Sequence, residues 1–165
     1  MSRQNWSREE LIVAFNLYCK IPFSKISANN ETIIDIAGSI GRTPSALALK
    51  LVNFARLDPT LQKRGISGMS HGSKAEINIW QEFNEDWGSL SYESELILSK
   101  YKGRTIERIY GISLDPFEFE GKERDSVVKA RVNQIFFRNT VLASYDFRCC
   151  ITGISIPELL IASHI

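Results

Sequence analysis

The sequence has 165 residues, of which 44% are hydrophobic and 24% charged, a composition typical of a soluble globular protein and not of a disordered one. No apolar run approaches the ~20 residues that cross a bilayer, and the N-terminus lacks the apolar stretch of a secretory signal. Three cysteines, two of them adjacent, do not form a disulfide framework, so we expect a cytoplasmic location and no membrane partner.

The net charge of +1 is unevenly distributed along the chain. Residues 1–72 carry nine Lys/Arg against five Asp/Glu, residues 73–125 seven against twelve, and residues 126–165 four against two. Two basic regions joined by an acidic one are compatible with a polyanionic partner contacted at both ends. The predicted domains follow this layout: a helical domain over 1–70, a connecting region over 71–125, and the start of a further domain over 126–165.

The first 70 residues predict three helices. Ser7 and Glu10 have the spacing of a capping box at the start of the first helix, and Pro22 ends its apolar pattern. A second helix is predicted over about 32–40, with Gly41 as its C-cap. A third follows, capped by Thr43 with Pro44 in its first turn, and closes at 58–59.

The remaining chain predicts mostly helix. A loop over 67–73 precedes a helical stretch over 74–100, which Gly88 is expected to interrupt. Residues 111–125 are predicted to be irregular, and a long helix follows over 126–145. After Tyr145 the pattern changes to strand, turn and strand. We therefore predict a mainly α protein.

The second and third helices resemble a helix-turn-helix unit, in which the second helix enters the major groove of DNA. Arginine suits guanine and asparagine suits adenine, so the predicted DNA-binding residues are Arg42, Ser45, Lys50, Asn53 and Arg56, with Arg42 and Lys50 on phosphates. The alternative is an ordinary three-helix bundle in which these side chains are merely solvated.

A second polar stripe lies on the long predicted helix. Arg131, Gln134 and Arg138 occupy positions i, i+3 and i+7 and so share one face. We predict that this face contacts DNA phosphates. The alternative is that it is simply exposed to solvent or pairs with the acidic segment 115–125.

The C-terminal region resembles the HNH endonuclease family, particularly its restriction-type branch. The matching residues are Arg131, Gln134, Phe137-Arg138, Cys149-x-x-Thr152-Gly153 and Ala162-Ser163-His164-Ile165. The resemblance covers about residues 127–165, and the turn at 41–44 is similar, less specifically, to the region ahead of this module in such proteins.

The resemblance implies a ββα-metal nuclease that hydrolyses a phosphodiester of double-stranded DNA with a divalent cation such as Mg²⁺. It implies that His164 is the general base, since a neutral imidazole accepts a proton at physiological pH. The family places an Asn and a second His downstream, so the ion's ligands are expected mostly beyond Ile165. Ser163 stands where many relatives have an acidic ligand. We therefore expect a nuclease domain interrupted within its motif, and an inactive chain as it stands.

Alternatives remain at several points. Cys149 and Cys150 could bind zinc, but adjacent cysteines suit one tetrahedral ion poorly, so small buried apolar side chains are favoured. His71 is expected to be a solvated loop residue. A non-catalytic DNA-binding regulator and a helical protein-interaction domain compete with the nuclease interpretation. Since cutting both strands often requires a dimer, a homodimer is also expected.

Overall fold

A computed structural model of the chain describes residues 5–66, 72–113 and 121–163. The helices among them are α1 (Arg8–Lys20), α2 (Glu31–Ser39), α3 (Pro44–Ala55), α4 (Pro59–Lys63), α5 (Lys74–Phe83), α6 (Trp87–Lys102), α7 (Ile106–Tyr110) and α8 (Gly121–Ser144). Short 3₁₀ turns occupy Phe23–Lys25 and Pro157–Leu159. The prediction of a mainly α protein is confirmed.

Helix α1 is the centre of the fold. It contacts α3, α5, α6 and α8, and every residue from Glu10 to Tyr18 is buried. A helix surrounded by neighbours buries its whole circumference. Its start agrees with the prediction, because the Ser7 hydroxyl accepts from the Glu10 N–H at 3.2 Å and the Glu10 carboxylate accepts from the Ser7 N–H at 2.7 Å.

The turn between α2 and α3 forms as predicted. Gly41 has φ +70°, a conformation in which glycine avoids the steric cost of a side chain. The Arg42 N–H donates to the Ala37 carbonyl at 2.9 Å. Thr43 caps α3 through a 3.2 Å hydrogen bond from the Ala46 N–H.

The middle of the chain differs from the prediction in where its helices break. Residues 84–86 separate α5 from α6, while Gly88 lies inside the first turn of α6. Asp86 caps α6 by accepting from the Ser89 N–H at 3.0 Å, so the break follows the capping residue and not the glycine. Helix α8 begins at Gly121, five residues before the predicted start.

One hydrophobic core joins the N-terminal helices to the middle and to α8. It includes Phe15 and Phe54, whose ring centroids are 4.9 Å apart, together with Phe83, Leu90 and Phe136. A smaller cluster of Ile106, Val128 and Val132 holds α7 and α6 against α8. In the described ranges, no helix is long and apolar enough to cross a bilayer.

The strands predicted after Tyr145 are not formed in the described residues up to Ser163. The predicted turn is present. A 3₁₀ turn at Pro157–Leu159 ends at the residue where the second strand, 159–162, is predicted to begin. A strand needs a neighbouring strand to satisfy its backbone groups, and this segment instead donates and accepts within short local turns.

Candidate functional site

Three of the side chains predicted to bind DNA converge on one buried carboxylate of α5. Lys50 forms an ion pair with Glu76, Asn53 Nδ2 donates to Glu76 Oε1 at 3.1 Å, and Arg56 Nη2 lies 3.6 Å from Glu76 Oε2. The Glu76 side chain is fully buried, and those of Lys50 and Arg56 are only 12% and 19% exposed. These polar groups of α3 therefore face the protein.

The pKa of Glu76 shows how these contacts combine. Burial by itself raises it, because a charged carboxylate loses its hydration. The hydrogen bond and the charge of Lys50, with donors from Asn53 and from the Ser73 N–H, more than offset this, and the net pKa is lowered. Glu76 is therefore ionised at neutral pH and is the counter-charge for the inward face of α3.

Arg42 is held in a similar way. Its Nε and Nη2 donate to the two carboxylate oxygens of Glu10 at 2.7 and 2.8 Å, and Nη2 also donates to the Asn5 carbonyl at 2.8 Å. The guanidinium lies 4.9 Å from the Trp6 ring centroid. A bidentate Arg–carboxylate pair with a stacked ring is a geometrically specific arrangement, and it joins the α2–α3 turn to the start of α1.

Ser45 is the exposed member of the predicted set on α3. One turn further along the same helix, Leu49 is 46% exposed, and Val52 is half-buried. The outward side of α3 therefore carries small and apolar side chains, while its cationic groups lie on the inward side.

On α8, the predicted stripe divides into two parts. Arg131 and Gln134 are exposed, and Arg131 Nη1 donates to Gln134 Oε1 at 3.2 Å. Arg138 is half-buried, and its Nη2 donates to the carbonyls of Pro157 at 2.7 Å and Leu160 at 3.3 Å. Arg138 thus ties the C-terminal segment to α8, while Arg131 and Gln134 remain available to a partner.

The Cys149-x-x-Thr152-Gly153 motif forms a tight turn. The Gly153 N–H donates to the Cys149 carbonyl at 3.0 Å, and the Cys149 N–H donates to the Ile154 carbonyl at 2.8 Å. Gly153 has φ +72°, which explains why glycine suits this position. Ahead of the turn, Asp146 and Phe147 adopt positive φ of 51° and 56°, so the chain reverses sharply after α8.

The Cys149 thiol lies inside this turn. The Thr152 N–H donates to its sulfur at 3.4 Å. Hydrogen bonding from Thr152, followed by the backbone N–H groups of Ile151 and Gly153, lowers the pKa of Cys149 to about 7. Cys149 is half-buried and Cys150 is exposed. The expectation of two buried apolar cysteines is therefore wrong, because Cys150 is exposed and Cys149 is only half-buried.

By contrast, Cys19 is a packing residue. It lies against the hydrophobic core, and burial raises the pKa of its thiol to about 12.

His71 and His164, to which the sequence assigns a solvated loop position and the role of general base, lie outside the described residues. In the part of the chain that the structure describes, no three His, Cys, Asp or Glu side chains lie together as metal ligands. Cys149 and Cys150 therefore belong to no such group among the described residues.

The role of Glu76 is not among the predictions from the sequence. It sits three residues after Ser73 in a capping box at the start of α5, where its carboxylate also accepts from the Ser73 N–H at 2.8 Å. That Ser-x-x-Glu spacing is visible in the sequence. The convergence of Lys50, Asn53 and Arg56 on the same carboxylate is not, because it depends on how α5 packs against α3.

Comparisons with protein-family models, with curated proteins and with solved structures find no match to this chain.

Proposed function

We propose that this chain belongs to a metal-dependent DNA endonuclease of the HNH type, with His164 as the general base. The observation that carries the proposal is that residues of the motif form the hydrogen bonds that hold the C-terminal segment. Arg138, Cys149, Thr152 and Gly153 each form hydrogen bonds that shape the segment leading to His164. A catalytic base must be held in place to take a proton efficiently, and this local structure supports such a role.

In the proposed reaction, the His164 imidazole takes a proton from the water that attacks the phosphorus atom. A divalent cation such as Mg²⁺ would stabilise the negative charge that develops on the phosphate. The described residues hold no group of three candidate ligands, and we propose that most of the ion's ligands are supplied from outside them. Double-stranded DNA is the proposed substrate.

The residues predicted to contact DNA differ in how accessible they are. Arg131 and Gln134 are exposed on the helix that precedes the motif, so they can reach phosphates. Lys50, Asn53 and Arg56 are bound to Glu76, and Arg42 to Glu10, so each would have to give up an internal partner. Ser45 remains accessible on α3.

The experiment is a cleavage assay on supercoiled plasmid with Mg²⁺ or Mn²⁺, using the complete product of the gene and its His164→Ala variant. We expect nicked or linear plasmid with the first protein and none with the second. Arg104→Ala, which removes an exposed arginine far from the motif in sequence, is the matched control and is expected to cut normally.

Absence of cutting on both modified and unmodified plasmid would overturn the nuclease proposal. If the same protein then shifts DNA in a binding assay, the non-catalytic DNA-binding interpretation replaces it. Cutting that persists in His164→Ala would retain a nuclease but overturn the assignment of the general base.

A further inference from the structure

A large cavity lies between α8 and the helical core, on the side formed by α1, α4 and the α5–α6 junction. Its volume is about 810 Å³, within the range of pockets that hold small organic ligands. One wall is aromatic and consists of Phe15, Tyr18, Trp80 and Trp87. Phe15 is itself fully buried, and its ring centroid lies 5.1 Å from that of Trp80 and 6.0 Å from that of Trp87, so it packs directly against both tryptophans.

The opposite wall is one face of α8. Its residues recur at helical spacing: Ala130, Asn133, Gln134, Phe137, Thr140, Val141 and Ser144. This face combines apolar side chains with amides and hydroxyls, and Asn84 adds another amide from the α5–α6 junction. Asn133 Oδ1 and Thr140 Oγ1 are buried in this wall and have no hydrogen-bond partner among the described residues.

Such unpartnered oxygens are unfavourable in a folded protein. Rotation of the Asn133 amide exchanges its oxygen with its nitrogen, so the side chain can offer either an acceptor or a donor to a ligand. A bound molecule with both donors and acceptors along its edge would satisfy this wall, whose Asn133 and Thr140 oxygens the described residues leave without a partner.

The charged residues of the lining do not leave a free charge inside the cavity. Asp58 accepts from the Tyr18 hydroxyl at 2.7 Å and from the Thr60 N–H at 2.8 Å. Arg64 and Asp146 are exposed to solvent and so belong to the rim. The interior therefore suits an uncharged molecule with flat apolar faces, and the Arg64 guanidinium can pair with an anionic group that extends from the opening.

We propose that this cavity binds a nucleobase, which stacks on the aromatic wall and hydrogen-bonds along its edge to Asn133. Aromatic side chains stack on every base, and amides read the polar edges of bases. The base could be swung out of a DNA duplex, which would rest on the proposed nuclease function and matches how enzymes reach a base inside a helix. It could equally come from a free nucleotide, whose phosphate would lie near Arg64.

The test uses 2-aminopurine, a fluorescent base, in two forms: the free deoxyriboside and a single 2-aminopurine placed within a DNA duplex. Each is titrated with the protein, and fluorescence is recorded. Ala130→Trp places a bulky ring at the exposed edge of the cavity wall and so obstructs the cavity without removing a polar group. Asn133→Ala removes the proposed edge contact. Asn139→Ala is the matched control, because Asn139 is a half-buried asparagine on the same helix that lines a different cavity.

We expect saturable quenching of the free deoxyriboside that Ala130→Trp abolishes and Asn139→Ala leaves unchanged. Asn133→Ala should weaken binding about tenfold, the effect typical of losing one hydrogen bond. Circular dichroism melting of each variant checks that it folds. The proposal would be overturned if neither probe responds saturably to the protein. It would also be overturned if the response survives in a folded Ala130→Trp protein.

The two probes separate the sources of the base. A change in the duplex probe that Ala130→Trp removes identifies a base swung out of DNA, whereas a response of the deoxyriboside alone identifies a free nucleotide. Because the deoxyriboside arm involves no DNA and no cleavage, it can succeed when the nuclease proposal fails, and the two failures are distinguishable.

Discussion

Helices α3 and α8 carry similar polar and cationic side chains, but the fold uses them differently. On α3, Lys50 and Arg56 turn inward to the fully buried Glu76. On α8, Arg131 stays exposed and Arg138 binds backbone carbonyls of the C-terminal segment. The difference comes from what packs against each helix. An acidic side chain of α5 covers the cationic side of α3. The polar side of α8 instead faces solvent and the C-terminal segment, whose Pro157 and Leu160 carbonyls accept hydrogen bonds from Arg138.

The largest effect should come from removing the counter-charge of α3. Glu76→Ala leaves Lys50 and Arg56 with little solvent and no partner carboxylate, and breaking a buried ion pair in this way costs about 3–5 kcal/mol of unfolding free energy. Urea unfolding followed by circular dichroism measures this loss.

Glu82→Ala is the control for that experiment. Glu82 is paired with Arg8 at the surface, with its side chain 45% exposed, and such pairs contribute about 1 kcal/mol or less. Similar losses of unfolding free energy in Glu76→Ala and Glu82→Ala would mean that Glu76 does not hold the inward side of α3.

Acid should destabilise the protein through the same contacts. Burial by itself would raise the pKa of both Glu76 and Glu10, but the combined contacts of Glu76 with Lys50, Asn53 and the Ser73 N–H lower its net pKa. The combined contacts of Glu10 with Arg42 and Ser7 lower its net pKa in the same way. A carboxylate whose folded-state pKa is depressed stabilises the protein above its unfolded-state pKa, and this contribution is lost as pH falls through the folded-state pKa.

We therefore expect the urea midpoint to decline as the pH is lowered below about 4.3, the ordinary pKa of glutamate. Glu76→Gln should start from a lower stability and decline less steeply, since one titrating group is gone. An equally steep decline in this variant would assign the acid sensitivity to other carboxylates.

Loss of the Arg138 contact should loosen the C-terminal segment. Arg138→Ala removes the donor to the Pro157 and Leu160 carbonyls, with a cost of about 1 kcal/mol, typical of a hydrogen-bonded group. Hydrogen exchange of the Leu159 and Leu160 amides, which close the 3₁₀ turn, should become faster. Arg131→Ala, on the same helix, should leave their exchange unchanged, and faster exchange in both variants would argue against a specific clamp.

The smallest effect concerns the exposed part of α8. If Arg131 contacts one phosphate, Arg131→Ala should lower the slope of log affinity against log salt concentration for DNA by about 0.9. Fluorescence anisotropy at several salt concentrations gives this slope. Arg104→Ala removes an exposed arginine outside the predicted contacts and should leave it unaltered. Equal slopes for all three proteins would remove Arg131 from the DNA interface.

Much of the local structure could be predicted from the sequence because capping is a local interaction. Ser7 with Glu10 and Thr43 with Pro44 place the starts of α1 and α3 correctly. The prediction that Gly88 breaks the helix is wrong, because Asp86 caps α6 and the helix begins after it. The candidate site was only partly predictable. The turn at Cys149–Gly153 follows from its residues, whereas the strands expected beside it require a partner strand.

By itself, the sequence determined that the protein is mainly helical, where its best-capped helices begin, and which residue types could meet DNA, because these depend on neighbours within one or two turns. Only the tertiary structure decided the direction of those side chains. Lys50, Asn53 and Arg56 point to Glu76 because α5 packs against α3, 20 or more residues later in the chain. The cavity beneath α8 likewise exists only because distant helices enclose it, and no local pattern encodes a space between elements.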